Sequence, residues 1–135
     1  MAPSEHDPHL TPLQLDVMRV LWSRAEASAA EVTEALADAR GLAPTTVATL
    51  LRRLEKRGLV AHESRGRQFV YRAAVAEAQA REAMVDELAE RLFEGDAARL
   101  VHHLLARHEL APGDLARVRA LIEERESGGE VRDGR

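Results

Sequence analysis

The 135-residue sequence predicts a mainly α-helical protein with one small β hairpin. Apolar residues recur at helical spacing in three segments between residues 10 and 57. The spacing changes to a strand-like alternation over residues 59–72 and returns to helical spacing from residue 76. Three helices, a hairpin and further helices, in this order, predict a winged helix-turn-helix followed by a helical region.

The first two helices each begin at a predicted capping box. Thr11 precedes Pro12 and is followed three residues later by Gln14, and Ser28 is followed in the same way by Glu31. The second helix is predicted to stop near Gly41, which leaves a short turn before the third. The apolar faces are Leu10, Leu13, Val17, Met18 and Leu21 in the first helix, and Val32 and Leu36 in the second.

The third helix, predicted within residues 43–60, has two faces of opposite character. Pro44 suits its first position, and Gly58 suits the left-handed conformation that ends a helix. The predicted core face consists of Val47, Leu50, Leu51 and Leu54. The opposite face consists of Thr45, Thr49, Arg52 and Lys56, flanked by Thr46 and Arg53. Because hydroxyls precede cations, this face suits a helix whose first turns approach base edges and whose later residues contact phosphate.

The hairpin that follows is predicted to be a basic wing. Strand-like runs at residues 59–64 and 68–72 flank Arg65, Gly66 and Arg67, so the tip should project positive charge towards DNA backbone or minor groove. The whole chain has a net charge of −4, but residues 43–72 hold seven Lys or Arg and two Asp or Glu. A local basic patch is therefore predicted in an otherwise acidic protein.

The C-terminal third predicts dimerisation. Helices are expected over residues 76–94, after Asp96 and from Pro112, each with one apolar side and no sheet to cover it. A second copy of the chain would supply the missing surface through a two-fold contact. The predicted dimerisation residues are Met84, Val85, Leu88, Leu92, Phe93, Leu100, Val101, Leu104, Leu105, Leu115, Val118, Leu121 and Ile122.

These assignments divide the chain into four parts. We predict a disordered N-terminus at residues 1–9, a winged-helix DNA-binding domain at 10–73, a helical dimerisation domain at 74–125 and a disordered tail at 126–135. The sequence has no cysteine, no apolar run near the roughly 20 residues of a membrane span, and no apolar signal core at its start. A cytoplasmic protein without membrane insertion is expected.

Three motifs resemble the penicillinase-repressor family of bacterial regulators, the BlaI/MecI/CopY type. They are the run LTPLQLDVMRVLW, the P-x-T-V-x-T-L-x-x-R-L core of the third helix and the G-R-x-F-x-Y wing. Residues 88–124 also resemble the dimerisation region of that family, so the likeness extends to the C-terminal helices. The resemblance implies a homodimer on a dyad-symmetric operator, repressing β-lactam-resistance or cell-envelope and stress genes until a signal releases it. It assigns Thr46 and Thr49 to the major groove, Arg53 to phosphate, and Arg65 and Arg67 to the wing.

The chain also departs from the family pattern. Ala43 and Thr45 stand where members often have serine and lysine, which removes a helix cap and a cation. The family implies a membrane sensor protease that cuts an Asn-Phe bond, but the aligned position is His103-Leu104, so cleavage would need another bond. Copper-responsive members use C-terminal cysteines, so thiolate copper sensing is excluded.

The sequence gives little support to metal binding or catalysis, and one alternative function stays open. His102, His103 and His108 have spacings of five and six, which do not close a metal site on one helix, so no metal or cofactor is predicted. No nucleophile, phosphate-binding loop or catalytic His–carboxylate set is recognisable, so the chain is not expected to be an enzyme. The alternative is a dimeric winged-helix adaptor that binds protein and not specific DNA, which the overall acidity favours and the basic set on the third helix and wing opposes.

Overall fold

The structure, a computed structural model, describes residues 9–133, with side chains described as far as Gly128. The elements are α1 (Pro12–Arg24), β1 (Ala27–Ser28), α2 (Ala29–Ala35), α3 (Pro44–Lys56), β2 (Val60–Arg65), β3 (Gln68–Ala73), α4 (Glu77–Phe93), α5 (Ala97–Arg107) and α6 (Asp114–Asp133). Helices α1 to α3 and the β2–β3 hairpin follow in the predicted order, so the winged-helix prediction is confirmed.

Both predicted capping boxes are present. The Thr11 hydroxyl accepts from the backbone N–H of Gln14 at 3.1 Å, and the Gln14 side chain accepts from the Thr11 N–H at 3.0 Å. Ser28 and Glu31 form the same reciprocal pair at 3.1 and 2.8 Å. Each box pairs two backbone groups that a helix leaves unsatisfied at its start, so the first two helices begin where local sequence dictates.

The sheet has a third strand that the sequence did not reveal. Strand β3 is central and antiparallel to both neighbours, in the order β1-β3-β2. In β1, Ala27 pairs with Tyr71 and Ser28 with Val70. Two residues are too few to show an alternating pattern, so this strand follows from tertiary contact with β3 and not from a local signal. It also ties the start of α2 to the wing.

The apolar faces predicted for α1, α2 and α3 meet in one core. Val17, Met18 and Leu21 of α1 have no exposed surface, and Val32 of α2 lies against them. From α3, all four predicted residues, Val47, Leu50, Leu51 and Leu54, are buried. The hairpin contributes Val60 and Tyr71 to the same cluster. This packing fixes which side of α3 faces outwards.

The chain forms two compact units that divide within α4, between Leu88 and Ala89. The first unit therefore extends beyond the boundary predicted after residue 73. Trp22 Nε1 donates to the carbonyl of Val75 at 2.8 Å, Ala80 is buried, and Met84 packs against the core. These contacts join the first half of α4 to the winged helix. Met84 is thus placed against that core, where the sequence had grouped it with the dimerisation residues.

The second unit contains the rest of α4 with α5 and α6. Asp96 caps α5 by accepting from the N–H of Arg99 at 3.1 Å, as predicted. Helix α6 begins at Asp114, two residues after Pro112, and the Asp114 carboxylate accepts from the N–H of Ala111 at 2.7 Å.

The two predicted disordered ends differ in outcome. Helix α6 continues to Asp133 and so includes most of the segment from residue 126 for which a disordered tail was predicted. Gly128 and Gly129 cost a helix about 1 kcal/mol each relative to alanine and, unlike proline, leave its hydrogen bonds intact. Residues 1–8 and 134–135 lie outside the described residues. The predicted N-terminal segment is represented only by His9, whose carbonyl accepts from Arg57 at 2.6 Å.

Candidate nucleic-acid interface

The outward face of α3 begins with threonines. Thr45 and Thr46 are exposed in the first turn, and Thr49 is half-buried one turn later. The Thr49 hydroxyl donates to the carbonyl of Thr45 at 3.0 Å and accepts from Arg52 Nη2 at 3.2 Å. The Thr46 hydroxyl therefore has no partner among the described residues, whereas the Thr49 hydroxyl could donate to a base only by giving up its bond to the Thr45 carbonyl.

The start of α3 lacks a side-chain cap, as the alanine at that position predicted. Ala43 has extended backbone (φ −71°, ψ 148°) but no side chain that could accept a hydrogen bond. Its carbonyl accepts from the N–H groups of Thr46 and Val47 at 3.0 and 3.2 Å. The partial positive charge of the helix N-terminus is consequently not offset by a capping oxygen.

Cations dominate the second half of the α3 outward face. Arg52, Arg53 and Lys56 are exposed, and none has a carboxylate within 4.0 Å among the described side chains. The one acidic residue on the helix, Glu55, lies on a shoulder and bonds to the wing. The face therefore has positive charge that the protein itself does not neutralise, and anionic phosphate is a suitable partner for it.

The two wing arginines have different environments. Arg65 belongs to β2 and pairs with Gln68, so the turn consists of Gly66, whose φ is 65°, and Arg67. Arg65 is bonded to Glu26 at 2.5 and 3.0 Å and to Glu63 at 2.9 Å. Both side chains are exposed, but only Arg67 lies in the turn and has no carboxylate within 4.0 Å among the described side chains.

The charge network around Arg65 shifts the ionisation of its members. The hydrogen bond from Arg65 lowers the pKa of Glu26 below its usual 4.5, and the bonds to Glu26 and Glu63 raise the pKa of Arg65. Both residues stay charged at neutral pH. Arg65 thus anchors the wing to the loop before β1, a role that the predicted tip position did not suggest.

A second link joins the wing directly to α3. His62 of β2 donates from Nδ1 to both carboxylate oxygens of Glu55, at 2.8 and 2.7 Å. The His62 ring stacks on Phe69 with centroids 4.2 Å apart and lies 5.4 Å from Tyr71. Burial, and then the charge of Glu55, raise the pKa of Tyr71. Sequence reasoning missed this cluster because the Gly58 turn separates Glu55 from His62.

The second unit has an apolar surface in place of a core. No residue from Ala89 to Gly128 is fully buried, and Leu104 and Leu121 line a groove of about 810 Å³ between α5 and α6. Phe93, Leu100 and Val118 are half-buried, and Phe93 lies edge-on to His103 with centroids 5.9 Å apart. Leu110 is also exposed and was not predicted. The other predicted dimerisation residues are also exposed, namely Val85 and Leu88 at the end of the first unit and Leu92, Val101, Leu105, Leu115 and Ile122 in the second.

Two further features concern metals and membranes. Within residues 9–128, no three His, Cys, Asp or Glu side chains are grouped as a metal site would require, and this includes His102, His103 and His108. None of the described helices has the length and apolar character needed to cross a membrane.

Comparison with known proteins identifies relatives that match most of the chain. The family model described as "Penicillinase repressor" matches residues 10–124. The penicillinase repressor of Bacillus licheniformis is 27% identical over 117 residues, which cover 87% of this chain and 91% of the relative. The methicillin resistance regulatory protein MecI of Staphylococcus aureus (strain N315) is 21% identical over 116 residues, 86% of this chain and 94% of the relative.

A solved structure resembles about half of the chain. The DNA-binding domain of the repressor BlaI is 33% identical, with a TM-score of 0.50, and the match covers 54% of this chain and 89% of that domain.

Proposed function

The chain belongs to the penicillinase repressor family, and on that premise we propose that it represses transcription as a homodimer bound to a dyad-symmetric operator. In this proposal, α3 enters the major groove and the wing contacts the adjacent backbone. Thr45, Thr46 and Thr49 approach base edges, and Arg52, Arg53, Lys56 and Arg67 contact phosphate. Arg65 orients the wing through Glu26 and Glu63.

One observation supports DNA binding most strongly. The outward face of α3 combines exposed hydroxyls in its first turn with three cations that have no carboxylate partner among the described side chains. A helix face that is only solvated typically carries both signs of charge, whereas this face carries only cations although the chain as a whole has an excess of acidic residues. The arrangement suits a polyanion whose grooves also present hydrogen-bonding groups.

The proposed dimer rests on the exposed apolar surface of the second unit. Monomeric proteins rarely expose large contiguous apolar patches, and a two-fold contact would cover the groove between α5 and α6 in both copies. Two recognition helices could then occupy successive major grooves roughly 34 Å apart.

The regulated genes are proposed from the relatives. The names of those relatives refer to penicillinase and to methicillin resistance. We therefore propose β-lactam-resistance or cell-envelope and stress genes as targets, and release by a signal. A sensor protease is a candidate partner, although a cut at His103-Leu104 would require a different bond preference from Asn-Phe.

A fluorescence titration with the DNA upstream of the chain's own gene tests the repressor proposal. We expect tight binding that weakens steeply with salt, because each neutralised phosphate releases counterions. Arg53→Ala should weaken binding to all duplexes and reduce the slope of log affinity against log salt by about 1.8, because the dimer loses one phosphate contact from each subunit. Thr46→Ala should instead change which sequence is preferred.

The matched control is Arg19→Ala, because Arg19 is an exposed cation on α1 that lines a cleft with Ala35 and Leu36 and not with the α3 cations. Its removal should leave the salt slope unchanged. Equal affinity for upstream DNA and random duplex at every salt concentration would contradict specific repression and favour the adaptor alternative.

Light scattering over a range of protein concentrations tests the dimer. Leu121→Glu introduces a charge into the apolar groove and should convert the dimer to monomer. Arg119→Glu on the same helix is the control, since Arg119 does not line the groove. A wild-type protein that is monomeric at every concentration would contradict the proposed dimer.

A further inference from the structure

We propose that Phe69 is an apolar DNA contact of the wing and that Glu55 and His62 hold it in position. This inference rests on the proposed function, because it assigns a residue to the same DNA interface. The three residues come from α3, β2 and β3, and their contacts form a chain from the recognition helix to the wing.

The exposure of Phe69 is the first observation. Its neighbour two residues along β3, Tyr71, is 4% exposed, whereas Phe69 is 50% exposed. Both side chains lie on the same face of the hairpin as His62, because His62 pairs with Tyr71 and Ser64 with Phe69 in the antiparallel register. One aromatic ring thus completes the core, and the other leaves half of its surface uncovered beside the exposed Arg67.

The second observation is that this exposed ring is held in place. Phe69 stacks on His62 with an interplanar angle of 27° and a centroid distance of 4.2 Å. His62 is itself fixed, because Nδ1 donates to both oxygens of Glu55 on α3. An exposed phenylalanine without such support would sample several rotamers, and ordering it on binding would cost entropy. The stack on His62 orders the Phe69 ring before DNA binds.

The surroundings of the ring favour DNA as the occupant. Glu55 lies on the shoulder of α3 that faces the wing, next to Arg52 and Lys56 of the outward face. Phe69 is therefore placed between the recognition helix and the cationic turn. Apolar side chains at such positions contact sugar edges and thymine methyl groups, and these contacts need no charge. We assign Phe69 to the sugars and base edges that flank the sequence contacted by α3.

If His62 positions Phe69, the effects of changing the two residues should not be additive. A double-mutant cycle that measures DNA affinity tests this. Phe69→Ala should weaken operator binding about tenfold, as expected for an interface side chain that contributes more than 1 kcal/mol. Its salt slope should equal that of the wild type, because no phosphate contact is lost. His62→Ala should weaken binding about fivefold alone but less than about twofold in the Phe69→Ala background, because the residue being positioned is then absent.

Shortened operators give an independent measurement. Removing the base pairs that flank the half-site should weaken wild-type binding and leave binding by Phe69→Ala nearly unchanged. Gln68→Ala is the matched control, since Gln68 is exposed on the opposite face of β3 and should behave as wild type in both experiments. Glu55→Leu removes the carboxylate that holds His62. If His62→Ala does not fold, Glu55→Leu takes its place in the double-mutant cycle.

The outcomes separate this inference from the proposed function. Wild-type protein that does not prefer its operator over random DNA would overturn both. Normal wild-type binding with no loss in Phe69→Ala, or equal losses from His62→Ala in the two backgrounds, would overturn the inference alone.

Discussion

Helices α3 and α5 have the same kind of amphipathic sequence, but their apolar faces have opposite surroundings. In α3, Val47, Leu50, Leu51 and Leu54 are at most 9% exposed. In α5, Val101, Leu104 and Leu105 are 42%, 46% and 38% exposed. The comparison shows that amphipathic periodicity indicates which side of a helix needs a partner, and not whether the same chain provides one.

The difference follows from what each helix packs against. Around α3, the chain supplies α1, α2 and a three-stranded sheet, which together enclose the apolar face. The second unit supplies only helices, and these leave every described side chain from Ala89 to Gly128 at least partly exposed. A single chain therefore completes the first surface and leaves the second uncovered.

The largest expected effect comes from truncating the enclosed face. Leu51→Ala should lower the free energy of unfolding by about 2–5 kcal/mol, because Leu51 has no exposed surface and its removal leaves a cavity. Urea unfolding followed by circular dichroism measures this change. A loss below about 1 kcal/mol would mean that the α3 face is less tightly packed than described.

The same truncation in α5 sharpens the comparison. Leu104→Ala should change unfolding of the dilute protein by less than about 0.5 kcal/mol, because Leu104 is already solvated in the monomer. The dimer dissociation constant should instead rise about fivefold, which analytical ultracentrifugation can measure. Equal effects of Leu104→Ala and Leu51→Ala on the dilute protein would remove the distinction between the two faces.

Adding a cap to α3 and removing one from α5 should have smaller and opposite effects on stability. Ala43→Ser should stabilise the protein by about 1 kcal/mol by adding the missing cap of α3. Asp96→Ala should destabilise α5 by about the same amount, because it removes the acceptor for the Arg99 N–H. Thermal unfolding detects the first change and helical circular dichroism the second. Changes of the same sign would contradict the capping difference.

The smallest expected effect is on the pH dependence of stability, to which one carboxylate in each unit contributes. Arg65 lowers the pKa of Glu26 below 4.5, and Arg117, then the Ala111 N–H, lower the pKa of Asp114 below 3.8. Since both pKa values fall on folding, the stabilisation is present above these usual values and is lost as pH falls through the folded pKa. Carboxyl NMR titration should show Arg65→Gln returning Glu26 towards 4.5 with Asp114 unchanged. A normal Glu26 pKa in the wild type would contradict the Arg65 bond.

Much of the first unit could be predicted because its signals are local. The capping residues Thr11 and Ser28 act on backbone groups three residues away, and Gly58 permits the φ of 80° that ends α3. The helical spacing of the α3 leucines also identified the buried face correctly, so the outward face with Thr46 and Arg53 was correctly oriented.

Other parts of the site depend on residues far apart in the sequence. Arg65 had been assigned to the tip of the wing, but it lies at the end of β2 and bonds to Glu26, 39 residues earlier. The pairing of Glu55 with His62 requires the turn at Gly58 to bring β2 against α3. Strand β1 and the packing of Met84 likewise depend on neighbours that no local pattern indicates.

The sequence by itself determined where helices begin, which side of each is apolar and where cations concentrate, because these properties depend on residues within one or two turns. Tertiary structure decided which cations stay unpaired, which apolar faces are enclosed and how the wing is fixed to α3. Those outcomes depend on which distant side chains come within hydrogen-bonding or van der Waals distance, and the folded chain alone sets such distances.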